Sequence, residues 1–259
     1  MSTPPNTSDK HTLFKDHFSH DSVSYSRHRP GYPDTLFTYL SSIAKDHNLA
    51  WDCATGSGQS AIQLAQNFNR VIATDASESQ ISQAQKHEGI SYFVASAENS
   101  GIDTNSLDLI TVAQALHWFD LSVFTAEVDR TLKAGGILAV WTYNLLTIRP
   151  DIDEQVNYLY GKVLDRYWPA ERRLVEQGYK TINFPYRELS VPNFNMALNW
   201  NYGQLTDYLS TWSAVKACIS ENERNPIEII HDKLLKLWGD AETQMPVKWP
   251  LTVRVWQKP

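Results

Sequence analysis

Residues 49–61, L-A-W-D-C-A-T-G-S-G-Q-S-A, limit what this chain can fold into more than any other stretch. Leu49, Ala50 and Trp51 make a short apolar entry that ends in Asp52. Small residues with Gly56 and Gly58 follow, and residues 59–66 then favour helix. The pattern reads as strand, tight glycine turn and helix start, the first βα unit of a nucleotide-binding type of sheet. Small residues let the backbone turn sharply and lie against a ligand with no Cβ between. The helix start aims its unpaired N–H groups at the same place. Alone, such a turn also fits a purely structural link, so the rest of the chain decides.

Residues 71–75, V-I-A-T-D, read as a buried strand closing on Asp75. That acid stands about twenty residues beyond the glycines, where sheets of this kind place a carboxylate on ribose hydroxyls. Residues 77–87 read as helix, 90–95 as a third strand, and 96–106 as a polar loop opening with Ser96, Ala97 and Glu98. Residues 107–113 are a fourth strand running into Q-A-L-H-W-F-D at 114–120. A helix from Leu121 should stop at K-A-G-G, residues 133–136, before a fifth strand at 137–141. Strands alternating with helices predict a parallel, doubly wound α/β sheet.

Upstream, residues 34–45 read as a helix with Asp34 as N-cap. Residues 1–13 lack periodicity and should be mobile. Residues 25–33, Y-S-R-H-R-P-G-Y-P, are kept from regular helix by two prolines and a glycine. They read as a surface loop, or as an arm offering Tyr25, Arg27 and Arg29 to an anionic group, which guanidinium forks suit.

After residue 145 the rhythm changes. Residues 151–166 and 171–177 look helical, 194–200 strand, 205–218 and 227–238 helical, and 247–256 a last strand. That strand follows its helix by a short link, so antiparallel insertion into the sheet is expected. Residues 14–259 should form one domain, with residues 145–190 inserted as a helical cap.

A net charge of -6 opposes a nucleic-acid partner, which a basic face would serve. Two cysteines make neither a disulfide framework nor a cysteine metal site, so no metal is expected. No apolar run reaches membrane-spanning length and no export pattern opens the chain, which predicts a cytoplasmic protein without a membrane partner. The 9 Trp and 12 Tyr suit either core or an apolar ligand pocket. Monomer and homodimer both remain open.

Four stretches together carry a family resemblance: residues 25–33, 52–58 (D-C-A-T-G-S-G), 114–120 and 132–141 (L-K-A-G-G-I-L-A-V-W), with 208–215 (Y-L-S-T-W-S-A-V) in support. The chain resembles the class I S-adenosylmethionine-dependent methyltransferases, of the trans-aconitate methyltransferase and embryo-abundant-protein-like branch. The resemblance implies a Rossmann-like, mostly parallel seven-stranded sheet with an antiparallel last strand. It implies S-adenosyl-L-methionine as cofactor, with Asp52, Ala54, Gly56 and Gly58 around its methionine half. Asp75 would hold the ribose, Ala97 and Glu98 would lie beside the adenine, and Gln114 to His117 along the sulfonium. Tyr25 and Arg29 would close over the cofactor. Two departures stand out: Ala54 replaces a usual glycine, and Ser96 replaces an aspartate for the adenine amine.

The acceptor implied is a small molecule, a carboxylate among the candidates, with Arg27, Arg29 and Arg149 as cations for it. Methyl transfer from a sulfonium is a direct displacement that mainly needs alignment and exclusion of water. Trp118 and Trp141 are candidate walls, since aromatic faces suit a cationic sulfonium; plain core is the other reading. His117 is the catalytic candidate, as base for a hydroxyl or amine or as an orienting group for a carboxylate. Two rivals remain at this stage. Residues 56–61 fit G-x-G-x-x-A, so an NAD(P)-dependent oxidoreductase is one, and a non-catalytic cofactor-binding protein of the same fold is the other.

Overall fold

The computed structural model describes residues 30–259. Its axis is β4, Leu107–Ala113, whose first six residues are all buried, as expected of a parallel strand covered on both faces. β1 (Leu49–Cys53) runs parallel beside it, then β2 (Arg70–Asp75) and β3 (Ile90–Val94). On the other side lie parallel β5 (Leu132–Tyr143) and then antiparallel β8 (Met245–Gln257).

β6 (Arg187–Leu189) and β7 (Phe194–Trp200) both pair antiparallel with β8. They lie end to end along its outer edge, Leu189 opposite Val255 and Phe194 opposite Leu251. The sheet thus has eight strands where seven were expected, because its seventh position, the edge beyond β8, is shared by β6 and β7.

Side chains alternate between two cores, as a period of two requires. Ala50, Leu109, Ile137 and Ala139 join one cluster; Trp51, Ile110, Leu138 and Val140 join the other. α1 (Asp34–Ile43) covers the first face with Leu36, Phe37 and Leu40. α4 (Leu121–Thr131) covers the second with Phe124 and Val128. Asp108, buried at 4 %, ties three elements together. It accepts the N–H groups of Asn48 and Leu49 at 2.7 and 2.9 Å and Lys133 Nζ at 2.5 Å.

Several boundaries differ from the sequence expectation. Asp34 is the first helical residue of α1, and Pro33 is the N-cap. After α2 (Gln59–Leu64), the helix expected over 77–87 is only α3, Glu78–Ser82. The Tyr92 hydroxyl donates to the Gln85 carbonyl at 2.9 Å, and Gln85 N–H bonds Ser57 O, drawing the chain out of helix. α4 ends at Thr131, ahead of residues 133–136; those residues form an irregularity in the β4–β5 register with Gly135 at φ +78°.

α5 (Pro150–Tyr158) leads into a π-helical turn, Leu159–Val163, followed by α6 (Arg172–Glu176). The helix expected over 205–218 divides into α7 (Tyr202–Ser210) and α8 (Ser213–Asn222). Thr211 Oγ bonds back to Tyr208 O at 2.6 Å and Trp212 turns extended, which buries its indole. α9 (Glu228–Trp238) precedes β8. Among the described residues no helix is long and apolar enough to cross a membrane.

Candidate functional site

The C-terminal ends of β1, β2, β4 and β5 open on one side, where parallel α/β sheets take their ligands. The glycine turn joins β1 to α2 there. Ala54 (φ 55°) and Gly56 (φ 57°) are both left-handed, and Thr55 N–H bonds Thr74 O at 2.9 Å. A Cβ on Gly56 would meet only Gln80 Oε1, at 3.7 Å, so the space above it is open. Gly58 is needed for a different reason. It sits at φ 88° as the N-cap of α2, and a Cβ there would run into the Tyr92 hydroxyl.

Asp52 is buried to 1 % and accepts Thr55 Oγ at 2.5 Å and Thr111 Oγ at 2.8 Å. Burial pushes its carboxyl up to about 6 despite those bonds. Asp75, at the end of β2, accepts Gly56 N–H and Ser77 N–H, each at 2.9 Å. It therefore fixes the glycine turn directly.

The 96–106 loop is anchored to α4. Glu98 Oε1 accepts the Asp120 N–H at 3.0 Å, and Asp120 caps α4 through Ser122 and Val123. Glu127 holds the N–H and hydroxyl of Ser100, at 2.9 and 2.5 Å, and pairs with Arg130. The Arg130 bond foremost, with Ser100, holds its carboxyl down to about 2. Ala97 is buried within this loop.

Beyond β4, Gln114 is left-handed at φ 56°. Its amide bonds Tyr143 O at 3.3 Å and its carbonyl takes Thr142 Oγ at 2.6 Å, so its side chain spans to β5. His117 follows in a short 3-10 turn, half-buried, with Nδ1 2.9 Å from the Tyr179 hydroxyl. Burial first, and the charge of Arg172 second, push the imidazole down to about 3, so it is neutral at ordinary pH. Tyr179 is itself left-handed (φ 57°) and 1 % exposed, and Arg254 grips its carbonyl at 2.6 Å. Three of the five left-handed non-glycine residues described, Ala54, Gln114 and Tyr179, thus border this one site. Such backbone costs of order 1–3 kcal/mol each and collects at functional sites.

Other sequence candidates fall elsewhere. Trp141 belongs to the core of the α1 face, fully buried with Tyr32 and Phe37 edge-on at 5.5 and 6.1 Å, so it is no pocket wall. Its Nε1 has no hydrogen-bond partner. Arg149 is exposed, forked onto Asp151 at 2.7 and 3.0 Å and bonded to Leu237 O, so its donors are engaged away from the strand ends. Trp118 lies against His117, ring centres 4.7 Å apart and tilted at 43°. Tyr25, Arg27 and Arg29 lie outside the described residues. Sequence reasoning missed Tyr179, Thr142 and Arg172. The 62 residues between His117 and Tyr179 carry no pattern that links them.

A family model for a methyltransferase domain matches residues 51–140. A protein of Dictyostelium discoideum named as a methyltransferase is 34% identical over 235 residues, covering 89% of each chain. A Saccharomyces cerevisiae protein named for S-adenosylmethionine-dependent methyl transfer is 28% identical, covering 88% of this chain and 91% of its own. A solved structure from Anaeromyxobacter dehalogenans, described as a type II methyltransferase, superposes with a TM-score of 0.84 at 41% identity. It is covered to 97%, against 88% of this chain. The chain belongs to the class I S-adenosylmethionine-dependent methyltransferases.

The residues present suit that cofactor. The open space over Gly56 admits a ligand against the backbone. Asp75 closes β2 beside that space, its carboxylate bound to the turn through Gly56 N–H. The turn, Asp75 and the Ala97–Glu98 wall follow one another along the same strand ends.

Proposed function

We propose that the protein methylates a small molecule whose nucleophile is a carboxylate. The observation that carries this reading is the state of His117. A group titrating near 3 is a weak proton acceptor at neutral pH, whereas an effective general base titrates close to the working pH. A carboxylate arrives already ionised and needs no base. The resemblance to the trans-aconitate branch supports the same acceptor class.

In this reading Asp75 holds the ribose hydroxyls of the cofactor, residues 54–58 and Asp52 bound its methionine half, and Ala97 and Glu98 flank its adenine. When bound, the sulfonium supplies an activated methyl group. His117, kept neutral by burial and the Arg172 charge and oriented by Tyr179, hydrogen-bonds the acceptor and fixes its line of approach. Trp118 walls the same space. Gln114 stiffens the floor by joining the ends of β4 and β5. Helices from two stretches, 150–176 and 202–238, cover the acceptor side, packed on one another through Tyr160, Trp168, Trp212 and Tyr208. They exclude water from the reacting atoms.

The test is incubation with methyl-labelled S-adenosylmethionine and a panel of small carboxylic acids, reading base-labile methyl ester. Ester formation is expected. Label found only on amines, on hydroxyl compounds or on macromolecules would overturn the carboxylate reading.

A further inference from the structure

Arg172, Tyr160 and Trp168 form a built group that cofactor binding leaves without a role. The π-helical turn Leu159–Val163 presents Tyr160, and such turns occur often at functional sites. Its ring lies 4.7 Å from that of Trp168, whose indole N–H bonds the Tyr160 carbonyl at 3.1 Å. The Arg172 guanidinium packs against both rings, at 5.6 and 5.1 Å. Its Nε donates to the Tyr160 hydroxyl at 3.0 Å, and one terminal nitrogen reaches Asn144 Oδ1 at 3.3 Å. The Tyr160 proton goes on to Glu176 at 2.5 Å.

Three arginines among the described residues are half-buried. Arg130 pairs with Glu127 and Arg254 with Glu188, while Arg172 makes no ion pair with a carboxylate. A guanidinium has five donors, and the bonds to Tyr160 and Asn144 leave most of them unused. The helix that begins at Arg172 packs against the turn that carries His117, and the charge of Arg172 acts on both His117 and Tyr179. Asn144 directly follows β5, on the strand-end side of the sheet. A cation packed against two aromatic rings, without a carboxylate partner and near His117, is matched by an anion that can also pack on those rings.

We propose that Arg172 anchors the anionic end of a planar, conjugated carboxylate whose body lies along Tyr160 and Trp168. This rests on the small-carboxylate reading above and adds the residue that selects the acceptor. An arginine in this setting pairs both carboxylate oxygens at once, which lysine cannot reproduce.

The test is calorimetric titration of the S-adenosylhomocysteine-loaded protein with benzoate and trans-cinnamate, and with their amides, for wild type, Arg172→Gln and Arg172→Lys. At least one carboxylate should bind wild type, lose tenfold or more with Arg172→Gln, and recover only in part with Arg172→Lys. The amides should discriminate none of the three proteins. Unchanged S-adenosylhomocysteine affinity shows that the variants are folded. Carboxylate binding within twofold of wild type in Arg172→Gln would overturn the assignment, as would binding of neither acid to wild type. Inorganic phosphate binding as tightly as the acids would overturn the flat-carboxylate shape. Methyl ester formation that ignores Arg172 sinks this assignment alone, whereas label on a different acceptor class sinks the small-carboxylate reading.

Discussion

His117 Nδ1 and the Tyr179 hydroxyl stand 2.9 Å apart, joining the end of β4 to a buried tyrosine 62 residues further along the chain. The pair holds the imidazole in one place, and burial together with the charge of Arg172 keeps it neutral.

Proton NMR of the imidazole should therefore show His117 neutral across pH 5–8. Free histidine titrates near ~6.5, and the folded midpoint is held down to about 3. Below ~6.5 the unfolded chain takes up this proton and the folded protein does not. The stability that neutral His117 contributes is thus present above ~6.5 and is lost as pH falls toward 3. A His117 resonance shifting with a midpoint near 6.5 would contradict this.

Asp75→Ala should weaken S-adenosylhomocysteine binding by more than tenfold, about 1.4 kcal/mol or more. It removes the carboxylate and releases Gly56 and Ser77 N–H together. Calorimetric titration of both proteins reads this directly, and equal affinity would dismiss the ribose assignment.

Asp52 gives the opposite slope with pH. Its folded carboxyl titrates near 6 and an unfolded one near ~3.9, so the folded protein holds this proton more tightly. Its contribution to stability is full below ~3.9 and is lost as pH rises through 6. In Asp52→Asn, urea melts between pH 4 and 7 should lose that decline. A slope equal to wild type would refute the assignment.

Glu127→Gln should cost about 1.5–3 kcal/mol, the scale of hydrogen bonds to a charged group. The change weakens the hold on both Ser100 and Arg130. The wild-type carboxyl is held down to about 2, so its contribution is present above ~4.3 and fades as pH falls toward 2. Hydrogen exchange should quicken in residues 97–102. Protection unchanged in that loop would show that Glu127 does not anchor it.

Gly58→Ala should destabilise by more than ~1 kcal/mol, since its φ of 88° suits only glycine and the new Cβ meets Tyr92. Adding Tyr92→Ala separates the two causes by relieving the collision and leaving the backbone strain. Full rescue would assign the whole effect to contact with Tyr92.

The parallel half of the fold was legible because its determinants are local. Strand, glycine turn, helix and closing acid recur within residues 49–75, and each element is set by its own periodicity. The break at Thr211 was not legible, since it depends on where the Trp212 indole is buried. The early end of α3 depends likewise on Tyr92 reaching Gln85. In the site, Asp52, Asp75 and Gln114 came from strand ends, which motif spacing locates. Arg172 and Tyr179 come from irregular segments brought in by tertiary packing, and Arg149 misled because its nearest carboxylate is two residues away.

The position of β8 bears on how the protein assembles during synthesis. β5 is exposed along one side until β8 emerges, and the bond from Gln257 to Gly135 spans 122 residues. Pairings that distant are slow to form, whereas β1 to β5 can pair among themselves before β8 is made. The cofactor half can therefore mature while β5 still presents an open apolar edge, a template for the wrong partner. A ribosome that stalls within residues 202–238 would leave a nascent chain with a formed glycine turn and an unguarded strand, and that species is the one most in need of a chaperone.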